Sequence, residues 1–227
     1  MKKVFLMMLL FVSIFANAQK DVTKFLGIPV DGSKKEMKRK LKAKGFTYNA
    51  QYDNFKGEFN GQDVIVSIVT NKNKVWRITV CDANHSGEAN IKIKYNNLCD
   101  QFARNKKYKP IKPIRFGGYK IPENENISYE MQINKKTYEA AYFQVIVDEK
   151  AKEVQMSEFT QEQLDSPLKE GVENIEQEVE NDGSKSLEAI IAELHRLVWF
   201  KIIEHSGKYY IAMFYDNEYN HADGEDL

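Results

Sequence analysis

Two stretches of twenty residues constrain this chain more than any other feature. Residues 63–82 read DVIVSIVTNKNKVWRITVCD and residues 197–216 read LVWFKIIEHSGKYYIAMFYD. Each runs as a β-branched and aromatic strand, breaks at a short polar turn, resumes after a lysine and ends on an aspartate. Alternation of this kind around a polar break is the signature of an antiparallel hairpin. The two stretches align without a gap, which predicts a chain built by duplication.

The flanking residues support two similar halves. Asp31-Gly32-Ser33 with Glu36 forms a capping box that opens a helix over 33–44. Met37 and Leu41 share one face of it, and Gly45 supplies the left-handed stop. Strands are expected at 46–51, 54–60, 63–70 and 74–82. A longer helix follows at 88–106, with Ile91, Tyr95, Leu98, Cys99 and Phe102 on one stripe. After a connector holding Pro110, Pro113, Gly117, Gly118 and Pro122, strands are expected at 126–134, 137–147, 197–205 and 207–216. The predicted fold class is therefore α+β: two tandem repeats, each a helix plus a four-stranded antiparallel sheet, spanning 19–86 and 87–227.

The second repeat carries an insertion at about 148–196. Its 158–182 portion holds nine acidic residues and one base, whereas 20–44 holds nine bases and three acids. A weak helix is expected around Val172, Ile175 and Val179. A firmer one carries Leu187, Ile190, Ile191 and Leu194 on one stripe.

Residues 1–18 read as a cleavable signal peptide. Lys2 and Lys3 precede the apolar run Val4 to Phe15, and Ala16-Asn17-Ala18 is a small-x-small cleavage site. The apolar run is too short to span a bilayer, and no cysteine follows the cleavage site to take a lipid. The expected location is periplasmic or secreted. Export permits a bridge between Cys81 and Cys99, but the strand reading puts them apart, as two small apolar side chains.

The alternation also predicts an inside and an outside. Val64, Val66, Ile68, Trp76, Ile78 and Val80 are expected to face the helices. The gapless alignment then sends Val198, Phe200, Ile202, Tyr210, Ala212 and Phe214 to the same side. Trp199, Tyr209, Ile211, Met213 and Tyr215 are left on the open face, joined by Tyr138 and Tyr142. So apolar a face implies a cover or a partner. The cover would be the 186–196 helix; the partner would be a protein or a glycan docked on the aromatics.

Little points to chemistry. The chain has 33 basic and 33 acidic residues, a formal charge of zero, which leaves no footprint for a nucleic acid. There is no nucleophile elbow, no His-Glu-x-x-His and no phosphate loop. His85, His195, His205 and His221 lack ligand-spaced neighbours, and Cys81 with His85 lacks an orienting third group. No residue set calls for a cofactor. A weak calcium candidate, Asp216, Glu218 and Asn220, has alternate oxygen ligands but lacks the glycine and the closing glutamate of a calcium loop.

Residues 24–32 (KFLGIPVDG), 41–46 (LKAKGF) and 73–77 (NKVWR), with the ending at 207–220 (GKYYIAMFYDNEYN), resemble a set of uncharacterised secreted proteins of Gram-negative bacteria. That resemblance carries no activity. More distantly, the doubled helix-plus-four-strand order is similar to the beta-lactamase inhibitor protein fold, which implies an aromatic sheet surface that holds another protein. The expected function is an exported, non-catalytic binding module. A structural or envelope-assembly component with self-covered sheets is the alternative, and an enzyme of unknown class a remote one.

Overall fold

The structure, a computed structural model, describes residues 22–111, 118–145 and 195–221. The expected leader at 1–18 and both expected helices of the acidic insertion lie outside the described residues.

A small hairpin, β1 (Lys24–Phe25) and β2 (Ile28–Pro29), precedes α1 (Lys34–Ala43). The capping box forms at one of its two expected contacts: Ser33 Oγ accepts the Glu36 amide at 3.3 Å. Gly45 closes the helix at φ +91°, a backbone region that costs glycine nothing. Four strands follow: β3 (Thr47–Asn49), β4 (Asn54–Phe59), β5 (Gln62–Asn71) and β6 (Lys74–Asp82). Then come α2 (Glu88–Arg104), β7 (Tyr108–Pro110), α3 (Ile127–Gln132), β8 (Glu139–Gln144), β9 (Leu197–His205) and β10 (Lys208–Asp216).

The strand expected at 126–134 is therefore a helix, α3. The Asn126 side chain accepts the Tyr129 amide at 2.8 Å, an N-cap that a strand cannot offer. Glu88 holds the same turn from α2, accepting the Ile127 amide at 2.8 Å and the Ser128 hydroxyl. Tyr108–Pro110, inside the expected connector, is a short strand at the sheet edge instead.

In place of the two expected four-stranded sheets, strands β3 to β10 form one eight-stranded antiparallel sheet, ordered β3-β4-β5-β6-β10-β9-β8-β7. The seam is the pairing of β6 with β10, from Ala212 opposite Cys81 to Asp216 opposite Arg77. Side chains directly opposite one another share a face, so register decides the core. Phe200 lies opposite Met213, Ile202 opposite Ile211 and Val198 opposite Tyr215. All six are buried. They continue a row made by Val66 with Val80 and Ile68 with Ile78 on the first hairpin.

The helices cover this row. The Phe200 ring lies 5.3 Å from that of Tyr95 and 5.4 Å from that of Phe102, both on α2. Tyr142 stacks on Phe102 at 4.6 Å. Phe25, from the N-terminal hairpin, sits 5.0 Å from Tyr215 and 6.2 Å from Phe46. A Cβ on Gly57 would lie 2.6 Å from the Phe46 ring, so the missing side chain at 57 is what lets that ring lie on the sheet.

Candidate functional site

The expected inside and outside hold on β9, where Val198, Phe200 and Ile202 face the helices, and are reversed on β10. Tyr209, Ile211, Met213 and Tyr215 face the helices, as do Tyr138 and Tyr142, and all are at most 5% exposed. Tyr210 and Phe214 stand on the opposite face and remain partly open. Ala212 shares that face but is enclosed. Of the seven nominated residues, Trp199 alone is on the open face.

The cause is one residue in β6. Both hairpins turn through two positive-φ residues, Lys72-Asn73 and Ser206-Gly207, the geometry that suits the twist of a hairpin. The first then shifts register: Thr70 pairs with Val75 but Val69 with Arg77. Trp76 is the extra residue of a β-bulge. The second hairpin runs from His205–Lys208 to Val198–Tyr215 without a shift. An extra residue on one strand flips every side chain beyond it to the other face. The gapless alignment is thus a register error in three dimensions, and it misplaces Trp76 as well.

The open face has a centre that the bulge creates. Trp76 and Arg77 stand side by side on it. The Arg77 guanidinium carbon lies 4.2 Å from the Trp76 ring centroid, 4.9 Å from Phe214 and 5.4 Å from Trp199. Its Nε and Nη2 each donate to one oxygen of Asp216 at 2.6 Å. Trp199 Nε1 donates to the same carboxylate at 2.8 Å and its ring stacks on Phe214 at 4.1 Å. Asp216 is 1% exposed, so its charge is balanced inside the cluster. The result is a rigid aromatic platform whose cation is already satisfied.

A second aromatic group lies about 13 Å further along β10, at four residues of strand rise. Tyr210 stacks on His85 at 4.7 Å, and His205 meets His85 edge-on at 5.9 Å. Between the two groups run Thr79, Cys81, Lys201 and Ile203, all partly exposed. The surface is wide and mixed in character. The 3-10 turn Glu218–Asn220 packs beside β6, and His221 meets the Trp76 ring edge-on at 4.7 Å.

Sequence reading left Trp76, Phe214 and Asp216 out of this site. One signal was available. A charged Arg77 inside an apolar strand requires an acid, and Asp216 ends the aligned strand of the other half.

The calcium candidate does not assemble. Asp216 is committed to Arg77 and Trp199, while Asn220 Nδ2 donates to Asp31 and to the Val75 carbonyl at 2.8 and 2.9 Å. Among the described residues, no three acid, histidine or cysteine side chains gather as a metal site.

Cys81 and Cys99 are both free thiols, one on the open face and one in α2 under the sheet. Burial pushes the Cys81 thiol up to about 11 and that of Cys99 up to about 12. At pH 8 the thiolate of Cys81 is then about a thousandth of the total. The native chain is expected to resist iodoacetamide at pH 8 for hours. In denaturant without reductant it is expected to release two thiols to Ellman's reagent; finding none would mean a bridge.

No family model, curated protein or solved structure matches this chain.

Proposed function

We propose that the protein is a non-catalytic binding module that holds a partner protein against the open face of the sheet. The observation that carries this reading is the partly exposed Trp199–Phe214 stack, held in place by the Arg77–Asp216 pair. Aromatics fixed before binding lose little conformational freedom on docking, which favours them as anchors. Trp and Arg dominate the energetics of protein interfaces when they sit at the centre of a patch. A broad, mixed sheet face suits a protein better than a glycan, which calls for a narrower cleft lined by hydrogen-bonding groups.

Export and duplication belong to the same proposal. The leader at 1–18, with cleavage after Ala18, would deliver the chain beyond the inner membrane. No helix among the described residues is long and apolar enough to cross a membrane. The strand order runs β3 to β6 in one half and β10 to β7 in the other, meeting at the last strand of each. That arrangement supports a tandem repeat of helix and four strands, with the two sheets fused at the seam.

The test compares Trp199→Ala with the parent chain. The mature protein is immobilised, exposed to envelope extract, and the retained proteins are identified. Trp199→Ala is expected to lose a specific partner at least tenfold while keeping a cooperative unfolding transition. Acrylamide quenching in a Trp76→Phe background provides the second reading. Efficient quenching of Trp199 is expected. A shielded Trp199 would mean that the chain covers its own sheet, as a structural envelope component would.

A further inference from the structure

The helix side of the sheet contains a cavity that the open face does not share. It measures about 400 Å³ and lies between α2 and the strands β5, β6 and β10. That volume falls in the range of small-ligand sites. Its floor is Val64, Val80, Leu98, Ile211 and Met213. Ile211 and Met213 are two of the residues that the sequence nominated for binding; they line a recess, but on the other side of the sheet.

The lining chemistry is specific in three ways. The floor is mainly aliphatic and thioether, and Phe59 is the one aromatic side chain in the lining, so the recess suits an alkyl chain. Ile93 stands at the lip and is 60% exposed, a large apolar side chain held in water beside an apolar recess. The charges cancel. Lys94 Nζ lies 2.7 Å from Asp82 Oδ1, and Asp82 Oδ2 accepts the Ile211 amide at 2.9 Å. Asp82 is 9% exposed. An incoming anion or cation would have to compete with this pair, and the cost of stranding a buried charge opposes that. The polar edge is made of carboxamides. Asn90 and Asn97 lie seven residues apart on α2, so both face the mouth. A carboxamide both donates and accepts, which matches hydroxyl and amide groups.

We infer that this cavity binds an uncharged amphiphile: a short alkyl chain laid on the floor, with a hydroxyl- or amide-bearing head against Asn90 and Asn97. The inference is independent of the partner-binding face, because the two sites lie on opposite sides of the sheet.

The probe is n-octyl β-D-glucoside below its micelle concentration, titrated calorimetrically into the mature chain, with octanoate and glucose as separate arms. Saturable one-to-one heat is expected for the glucoside, with binding at least tenfold weaker for octanoate and none for glucose. Asn97→Trp, whose indole would occupy the mouth, is expected to reduce affinity at least tenfold, and Trp199→Ala to leave it unchanged. The Met213 methyl resonance is expected to shift during the titration in the unmodified chain, a reading that needs no variant. Absence of saturable heat, equal affinity for octanoate, full binding by folded Asn97→Trp, or an unmoved Met213 methyl would each overturn the assignment.

Discussion

Phe200→Ala is expected to destabilise the chain by about 3–5 kcal/mol, measured as a loss in urea unfolding free energy. Phe200 is fully buried, with ring contacts to Tyr95, Phe102 and Tyr142. Removing it empties the junction between α2 and the second half of the sheet. Few atoms nearby are free to move in, because the neighbours are rings anchored on a helix and on strands. Phe214→Ala, on the open face, is expected to cost less than half as much, since water already reaches that ring. The comparison tests register directly. Comparable losses at both positions would place both rings in the core and restore the register that the gapless alignment predicts.

Arg77→Ala is expected to cost about 3 kcal/mol, the lower end of the range for breaking a buried ion pair by removing one partner. The lower end applies because the two sides differ in exposure. The Arg77 side chain is 22% exposed and Asp216 1%. Truncating the arginine strands the aspartate, leaving the Trp199 N–H as its remaining side-chain donor. It also unstacks Trp76 and Phe214 from the guanidinium. A double variant, Arg77→Met with Asp216→Leu, removes both charges and is expected to recover most of the loss. If the single and double variants unfold at the same urea concentration, stacking rather than charge pairing holds the cluster. Tyr209→Ala belongs with these core variants and not with binding variants. Its hydroxyl lies 2.7 Å from that of Ser128 under the sheet, so its removal is expected to lower stability.

Local order was legible in residues whose signal is short in range. The box of Ser33 and Glu36, the left-handed Gly45 and the apolar stripe of α2 depend on neighbours within a few positions. The structure places each within two residues of the expected bounds. The hairpins were legible for the same reason, as alternation plus turn residues. Residues 126–134 were misread because Ile127 and Met131 look strand-like in isolation, whereas the N-cap of Asn126 and the grip of Glu88 decide for a helix. Glu88 lies 40 positions away from Ser128, and no local pattern carries that contact.

The residues of the open face were the least legible. Which face of a strand is buried depends on parity, and parity is reset by one unpaired residue. Trp76 and Arg77 look like an ordinary step in an alternating strand. Nothing in their immediate neighbours announces that both will stand on the same side. The structure puts them there by pairing Val75 with Thr70 and Arg77 with Val69, and the seam with β10 then supplies Asp216.

The amino-acid sequence by itself determined the two long helices, the two long antiparallel hairpins and the chemistry available to them, because these follow from propensity, capping and period over a handful of residues. Tertiary structure alone decided that the two sets of strands form one sheet, that a bulge exists in one hairpin and is missing from its counterpart, and which rings meet water. The single sheet is set by pairing between β6 and β10, more than a hundred residues apart, and the exposure of the rings by one added residue inside a hairpin, which exchanges core for surface.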